Sequence, residues 1–155
     1  MPTSSAAPSL PAPRLEFAFS LSVEVGAAVE LGGPGESRRR WIPVTGGSFA
    51  GPRICGRILP GADWQTVRSQ DVIEIDARYA LQTDDGAVVS IVNTGLRRLG
   101  NADDQTPPAS AEVYFRTIAC FETAASKHGW LNRSLFLGTG SRRHDTVSIE
   151  FWQVL

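Results

Sequence analysis

The chain has 155 residues, 42% hydrophobic and 20% charged, with a net charge of −1. That is long enough to bury one core and too apolar for wholesale disorder, and the near-neutral balance excludes a surface built mainly for nucleic acid or anionic membrane. No apolar run reaches the ~18 residues of a membrane-spanning helix, and the start lacks the charged segment and apolar run of a secretory signal, so the expected location is the cytoplasm.

Residues 1–13, MPTSSAAPSLPAP, are rich in Pro, Ser and Ala and read as a disordered N-terminal arm. Residues 14–155 then form one domain. In 15–25, Leu15, Phe17, Phe19, Leu21, Val23 and Val25 alternate with smaller or charged residues, the period of a half-buried strand. A Gly-rich loop, 32–37, leads to a strand containing Arg38, Arg39 and Arg40, which reads either as an anion site or as a charged, solvated edge. The stretch 46–61 carries Gly46, Gly47, Gly51, Gly56 and Gly61 and predicts one or two strands bent at the glycines. From Val72 a strand alternates Glu74, Asp76, Arg78 and Ala80 against Ile73, Ile75, Ala77, Tyr79 and Leu81. The Asp84-Asp85-Gly86 turn predicts a hairpin, because Asp-Gly tolerates the positive φ of a tight turn.

The partner strand spans 87–97, and 101–110 reads as a polar, proline-containing loop. Residues 112–121 alternate Tyr114, Arg116 and Ile118 against Phe115, Thr117 and Ala119. One short helix is expected over 122–128, stopped by Gly129. A strand from 134 and a closing strand over 146–154 complete an all-β chain. Short strands, many turns and long terminal strands able to pair favour a single antiparallel β-barrel. Cys55 and Cys120 lie in apolar runs and are expected as buried free thiols. Phe151 and Trp152 are adjacent, so one faces outward; with Trp41 they predict a homo-oligomer, most simply a dimer.

The chemistry is bounded by what is missing. His128 and His144 are the only histidines, which excludes a multi-histidine metal centre, and no phosphate loop, dinucleotide fingerprint or nucleophile elbow occurs. Any catalysis is therefore expected to be cofactor-free and metal-free acid–base work. Asp76 and Arg78 share one strand face, as do Tyr114 and Arg116. Alternation admits two placements. Either these are solvated outer faces, the default for polar residues, or they line a lumen, where two guanidinium groups, a phenol and a carboxylate would converge on an anion. Asp63-Trp64 and Trp130-Leu131-Asn132 are equally ambiguous between pocket walls and loop or end packing.

Taken in order, GGSFAGP, GRILPGADW, IDARYALQTDDGA, YFRT, FET and WLN resemble the domain-of-unknown-function 3237 family of bacterial and fungal proteins, over about 15–155. The resemblance implies a β-barrel of lipocalin-like or allene-oxide-cyclase-like kind and no established activity. The family's recurrent polar positions fall on Asp63, Trp64, Asp76, Arg78, Tyr114, Arg116, Trp130 and Asn132, which favours the lumen placement. At His128 the chain departs from the family's aromatic residue and gains an acid–base group. The expected function is a cofactor-free isomerase, lyase or cyclase acting on a small carbonyl or phenolic or carboxylate compound. In it Asp63, Asp76 and Tyr114 would be catalytic, and Trp64, Arg78, Arg116, Trp130, Asn132 and His128 would bind substrate. The alternative is a carrier or sensor barrel for a similar small molecule.

Overall fold

The structure, a computed structural model, describes residues 7–69, 72–100 and 112–155. Among them nine strands follow in order: β1 (Leu15–Val25), β2 (Val29–Gly32), β3 (Arg38–Ala50), β4 (Cys55–Val67), β5 (Val72–Thr83), β6 (Val88–Leu99), β7 (Glu112–Glu122), β8 (Phe136–Arg143) and β9 (Thr146–Val154). A 3-10 helix, Ser126–Arg133, joins β7 to β8. Strand β1 pairs antiparallel with β9 on one side and β3 on the other, so eight strands close into a barrel. β2 pairs only with β3 and lies outside the ring. Closure leaves no free edge in the ring itself, the usual remedy for exposed strand donors and acceptors. No helix is long and apolar enough to cross a membrane among the described residues.

Local departures from expectation have local causes. Residues 7–13 of the predicted arm are exposed and carry no strand or helix, while 1–6 and the predicted loop 101–110 lie outside the described residues. The predicted helix over 122–128 is displaced, because Glu122 continues the β7 ladder opposite Ser90. The turn that follows uses an i→i+3 bond, His128 N–H to the Ala125 carbonyl, and runs through Gly129. Cys55 and Cys120 are exposed, not buried; Cys120 has outward parity, between the buried Ala119 and Phe121. Arg39 and Arg40 lie in β3 between β2 and β4 and so form no edge, while Arg38 pairs with β4 alone. The Asp-Gly turn is present, with Gly86 at φ 87° and its N–H bonded to the Thr83 carbonyl.

The glycine stretch forms the second half of β3 and most of β4 and ends in a register shift between Leu59 and Ala62. That bulge inverts strand parity. Ile58 faces the core, yet beyond the bulge it is the odd positions, Asp63 and Gln65, that face inward. Gly61 makes the bulge possible, since a Cβ there would overlap the Arg78 carbonyl and stand 2.6 Å from the Tyr79 Cβ. Gly61→Val is expected to cost at least about 2 kcal/mol by overpacking and to lower the Tm by about 5 °C or more. An unchanged melt would show that the bulge tolerates a side chain.

One end of the barrel is packed solid. Phe19 lies against Phe49, Phe121 and Phe151 at ring separations of 6.0, 5.4 and 5.5 Å, and Phe136 meets Phe121 edge-on at 5.0 Å. Leu131 from the 3-10 helix, fully buried, caps the cluster.

Candidate functional site

The other end of the barrel is not filled. There the inward residues of β1 and β3 to β9 enclose a cavity of about 40 Å³ with mainly aliphatic walls. Its polar lining is Asp63, Gln65, Tyr79, Asn93, Arg97 and Arg142. Asp63 sits opposite Ile42 on β3 and Ala77 on β5, and its carboxylate accepts from the Gln65 side-chain amide at 2.6 Å and from the Asp76 backbone N–H at 3.1 Å. Gln65 in turn accepts from Arg40 Nε at 2.8 Å, so the guanidinium reaches Asp63 only through a neutral amide.

These contacts fix the electrostatics. Burial raises the Asp63 pKa from its ordinary value, against the lowering effect of the Gln65 and Asp76 hydrogen bonds and of Arg40. Burial likewise lowers the Arg40 pKa. The Tyr79 phenol is pushed well above its ordinary value, first by burial and then by the charge of Asp63, so it stays protonated and able to donate. Neither the Tyr79 hydroxyl nor the Asn93 side-chain oxygen finds a hydrogen-bond partner in the protein, although Asn93 is only 1% exposed. Buried polar atoms are normally paired, so two unpaired ones lining one cavity mark it as a place where a ligand oxygen or N–H can be held. Arg97 and Arg142 add positive charge to the lining, with Arg142 tied through Nε to the His144 carbonyl at 3.1 Å.

Of the nine residues expected at the site, Asp63 lines this cavity. Asp76, Arg78, Tyr114 and Arg116 point outward, because their mainly apolar alternates Ile75, Ala77, Tyr79, Phe115 and Thr117 take the inward, buried positions. Arg78 pairs with Asp76 at 3.1 Å on the surface, and Arg116 stands 5.4 Å from the Tyr114 ring on another strand. Trp64 is also outside, 46% exposed and stacked on Trp41 at 5.9 Å; the β4 bulge gives its neighbour Asp63 the inward position.

Trp130, Asn132 and His128 belong to the packed end. Trp130 packs edge-on to Phe136 at 5.8 Å, under Arg53 at 4.1 Å. The Asn132 side chain both accepts from Thr123 N–H and donates to the Thr123 carbonyl, at 2.9 Å each, tying the helix to the end of β7. His128, 2% exposed, places Nε2 3.3 Å from the Asp85 carboxylate, which also takes Lys127 Nζ at 2.8 Å and the Thr83 hydroxyl. These three are therefore fasteners of the 3-10 helix.

Lys127, then Thr83 and His128, hold the Asp85 carboxyl well below the usual range. Such a group stabilises the fold above its unfolded value of ~3.9, and that contribution disappears as pH falls through the lower folded value. Asp85→Asn is therefore expected to lower the Tm at pH 7 by an amount that stays constant down to about pH 4 and shrinks progressively as pH falls further toward the folded value. Melts of both proteins from about pH 2 to 8 test this; a gap as large at the acid end as at pH 7 would contradict it.

Of the lumen residues that the sequence reading missed, Gln65, Tyr79, Asn93, Arg97 and Arg142, three share one signal. Tyr79, Asn93 and Arg97 are polar groups on the otherwise apolar stripes of β5 and β6. Among the described residues no group of three or more His, Cys, Asp or Glu is placed to hold a metal ion.

Comparison with known proteins places this barrel among relatives. Residues 13–154 match the family described as "Protein of unknown function (DUF3237)". A UPF0311 protein of Rhodopseudomonas palustris (strain TIE-1) is 39% identical over 151 residues, covering 92% of this chain and 99% of its own. The crystal structure of a beta-barrel like protein from Acinetobacter baumannii AYE superposes with a TM-score of 0.86 at 35% identity, covering 95% of this chain and 99% of that one. More distantly, the hydroalkoxylation enzyme phnH of Penicillium herquei is 28% identical over 142 residues, 92% of this chain and 84% of its own.

Proposed function

The chain belongs to the DUF3237 family, and from that premise we propose that it is a cofactor-free acid–base enzyme working in the lumen. The observation that carries the reading is a desolvated carboxyl, Asp63, lining the same cavity as the unpartnered Tyr79 hydroxyl and Asn93 oxygen. A carboxylate clamped by a direct ion pair would suit a passive carrier. Asp63 is held by neutral amides and its pKa moves toward working pH, as proton transfer requires.

The substrate is a small phenolic or enolic compound with anionic character, drawn by Arg97 and Arg142. At about 40 Å³ the cavity is well below the roughly 150 Å³ that accommodates a benzene ring. It therefore takes the reacting end of the ligand while the remainder lies in the mouth. Tyr79 donates to the ligand oxygen. In its protonated form Asp63 gives its proton to an alkene carbon, and the resulting carboxylate takes the proton of the ligand's attacking hydroxyl as the C–O bond forms. One O–H bond and one C=C π bond are lost, one C–H and one C–O bond are gained, and the acid is regenerated: a cyclising isomerisation. The name of the Penicillium relative, a hydroalkoxylation enzyme, denotes addition of this type.

The test is to incubate the protein with a panel of prenylated phenols and enones in D2O and follow carbon-bound deuterium by NMR. Incorporation with the parent protein and its loss in Tyr79→Phe or Asp63→Asn support the proposal. Ligand binding without deuterium uptake across the panel would favour a carrier.

A further inference from the structure

The outer wall of β9, β8 and β7 is ordered in two rows by its registers. Trp152, Leu137 and Ile118 stand side by side in one row; Glu150, Thr139 and Arg116 form the next. All six point outward, since Phe151, Gly138 and Thr117 between them are buried. Leu137 and Ile118 are 38% and 51% exposed. The first row is thus apolar and open at Leu137 and Ile118, with Trp152 half-buried edge-on against the Phe17 ring at 5.5 Å. The second carries an anion on β9 and a cation on β7, with neutral Thr139 between them. At ~4.8 Å per strand, Glu150 and Arg116 are roughly 10 Å apart along the wall.

We infer that this wall is the contact face of a homodimer whose two-fold axis runs along β8, in the plane between the two copies. Rotation about that axis exchanges β7 with β9. It sets Ile118 of one copy on Trp152 of the other, Leu137 on Leu137, and Arg116 on Glu150, with each unlike pair made twice, as an isologous interface demands. A second copy supplies this complementary charge order by construction. An axis laid across the strands would place Arg116 on Ile118 and Glu150 on Trp152, burying charge without a partner. The favoured axis also keeps the facing strands nearly aligned, within the range of packed sheets. Of the adjacent pair Phe151 and Trp152, Trp152 is the one on this outer face; Phe151 is fully buried in the lumen.

Sedimentation velocity from 1 to 100 µM tests the interface. The parent chain is expected at twice its 16.7 kDa. Arg116→Glu and Glu150→Arg, each checked by its melt, are each expected to weaken association at least tenfold, because each sets like charges face to face. Combined, they restore the pairs with reversed sign and should regain the dimer; Ile118→Arg should abolish it. A monomeric parent chain throughout, or a dimer indifferent to Ile118→Arg and to the charge reversals, would overturn the inference.

Discussion

Asp63→Asn is expected to lower turnover by about 10²–10⁴-fold, the usual contribution of a positioned acid or base, while leaving the barrel folded. The amide keeps an oxygen for the Asp76 N–H but can neither give up nor regain the proton the reaction moves. The same substitution has a signature in stability. Because burial raises the folded-state pKa of Asp63, both states are neutral below the unfolded value of ~3.9 and no penalty exists there. As pH rises from that value to the raised folded value, the unfolded chain ionises more readily, and the parent protein loses stability; above it the penalty is constant. Asp63→Asn lacks this term. Its Tm relative to the parent should therefore rise with pH from about 4 and then level off. A ratio of turnover near one would remove Asp63 from the chemistry, and a flat difference in Tm would remove it from the desolvated lumen.

Phe19→Ala should be the most destabilising single change, at about 3–5 kcal/mol, a large part of the ~5–15 kcal/mol that holds a domain together. Phe19 is fully buried and its ring touches those of Phe49, Phe121 and Phe151, drawn from β3, β7 and β9. Its loss opens a void where four strands and the helix cap converge. The rings around it are too stiff to close that space. Urea unfolding with a lowered midpoint and an unchanged slope is the expected result; a loss under about 1 kcal/mol would mean that the plug repacks freely.

The contrast between those two residues shows what the sequence could and could not reveal. Strand existence was legible because alternation is a local signal. Leu15–Val25 and Thr146–Val154 were bounded to the residue, and their pairing closes the barrel. Facing was not legible to the same degree, since which alternate set turns inward is decided by the whole ring. The pairs Asp76–Arg78 and Tyr114–Arg116 looked convergent but obey the simpler rule of polar residues outside. Along β4 a single bulge between Leu59 and Ala62 reverses the parity, so it is Asp63 and not Trp64 that turns inward. The motif residues His128, Trp130 and Asn132 stood out for a structural reason, the fastening of the 3-10 helix. Tyr79 and Asn93 were hidden in apolar stripes that read as core.

The placement of Asp63 as a desolvated carboxyl in the lumen can be tested without knowing any substrate. Carbon-13 NMR titration of the aspartate side-chain carboxyls, with Asp63→Asn for assignment, reads it directly. One aspartate is expected to titrate above the ordinary value of ~3.9, with its signal absent from the variant. Asp63 titrating at or below that value would contradict it.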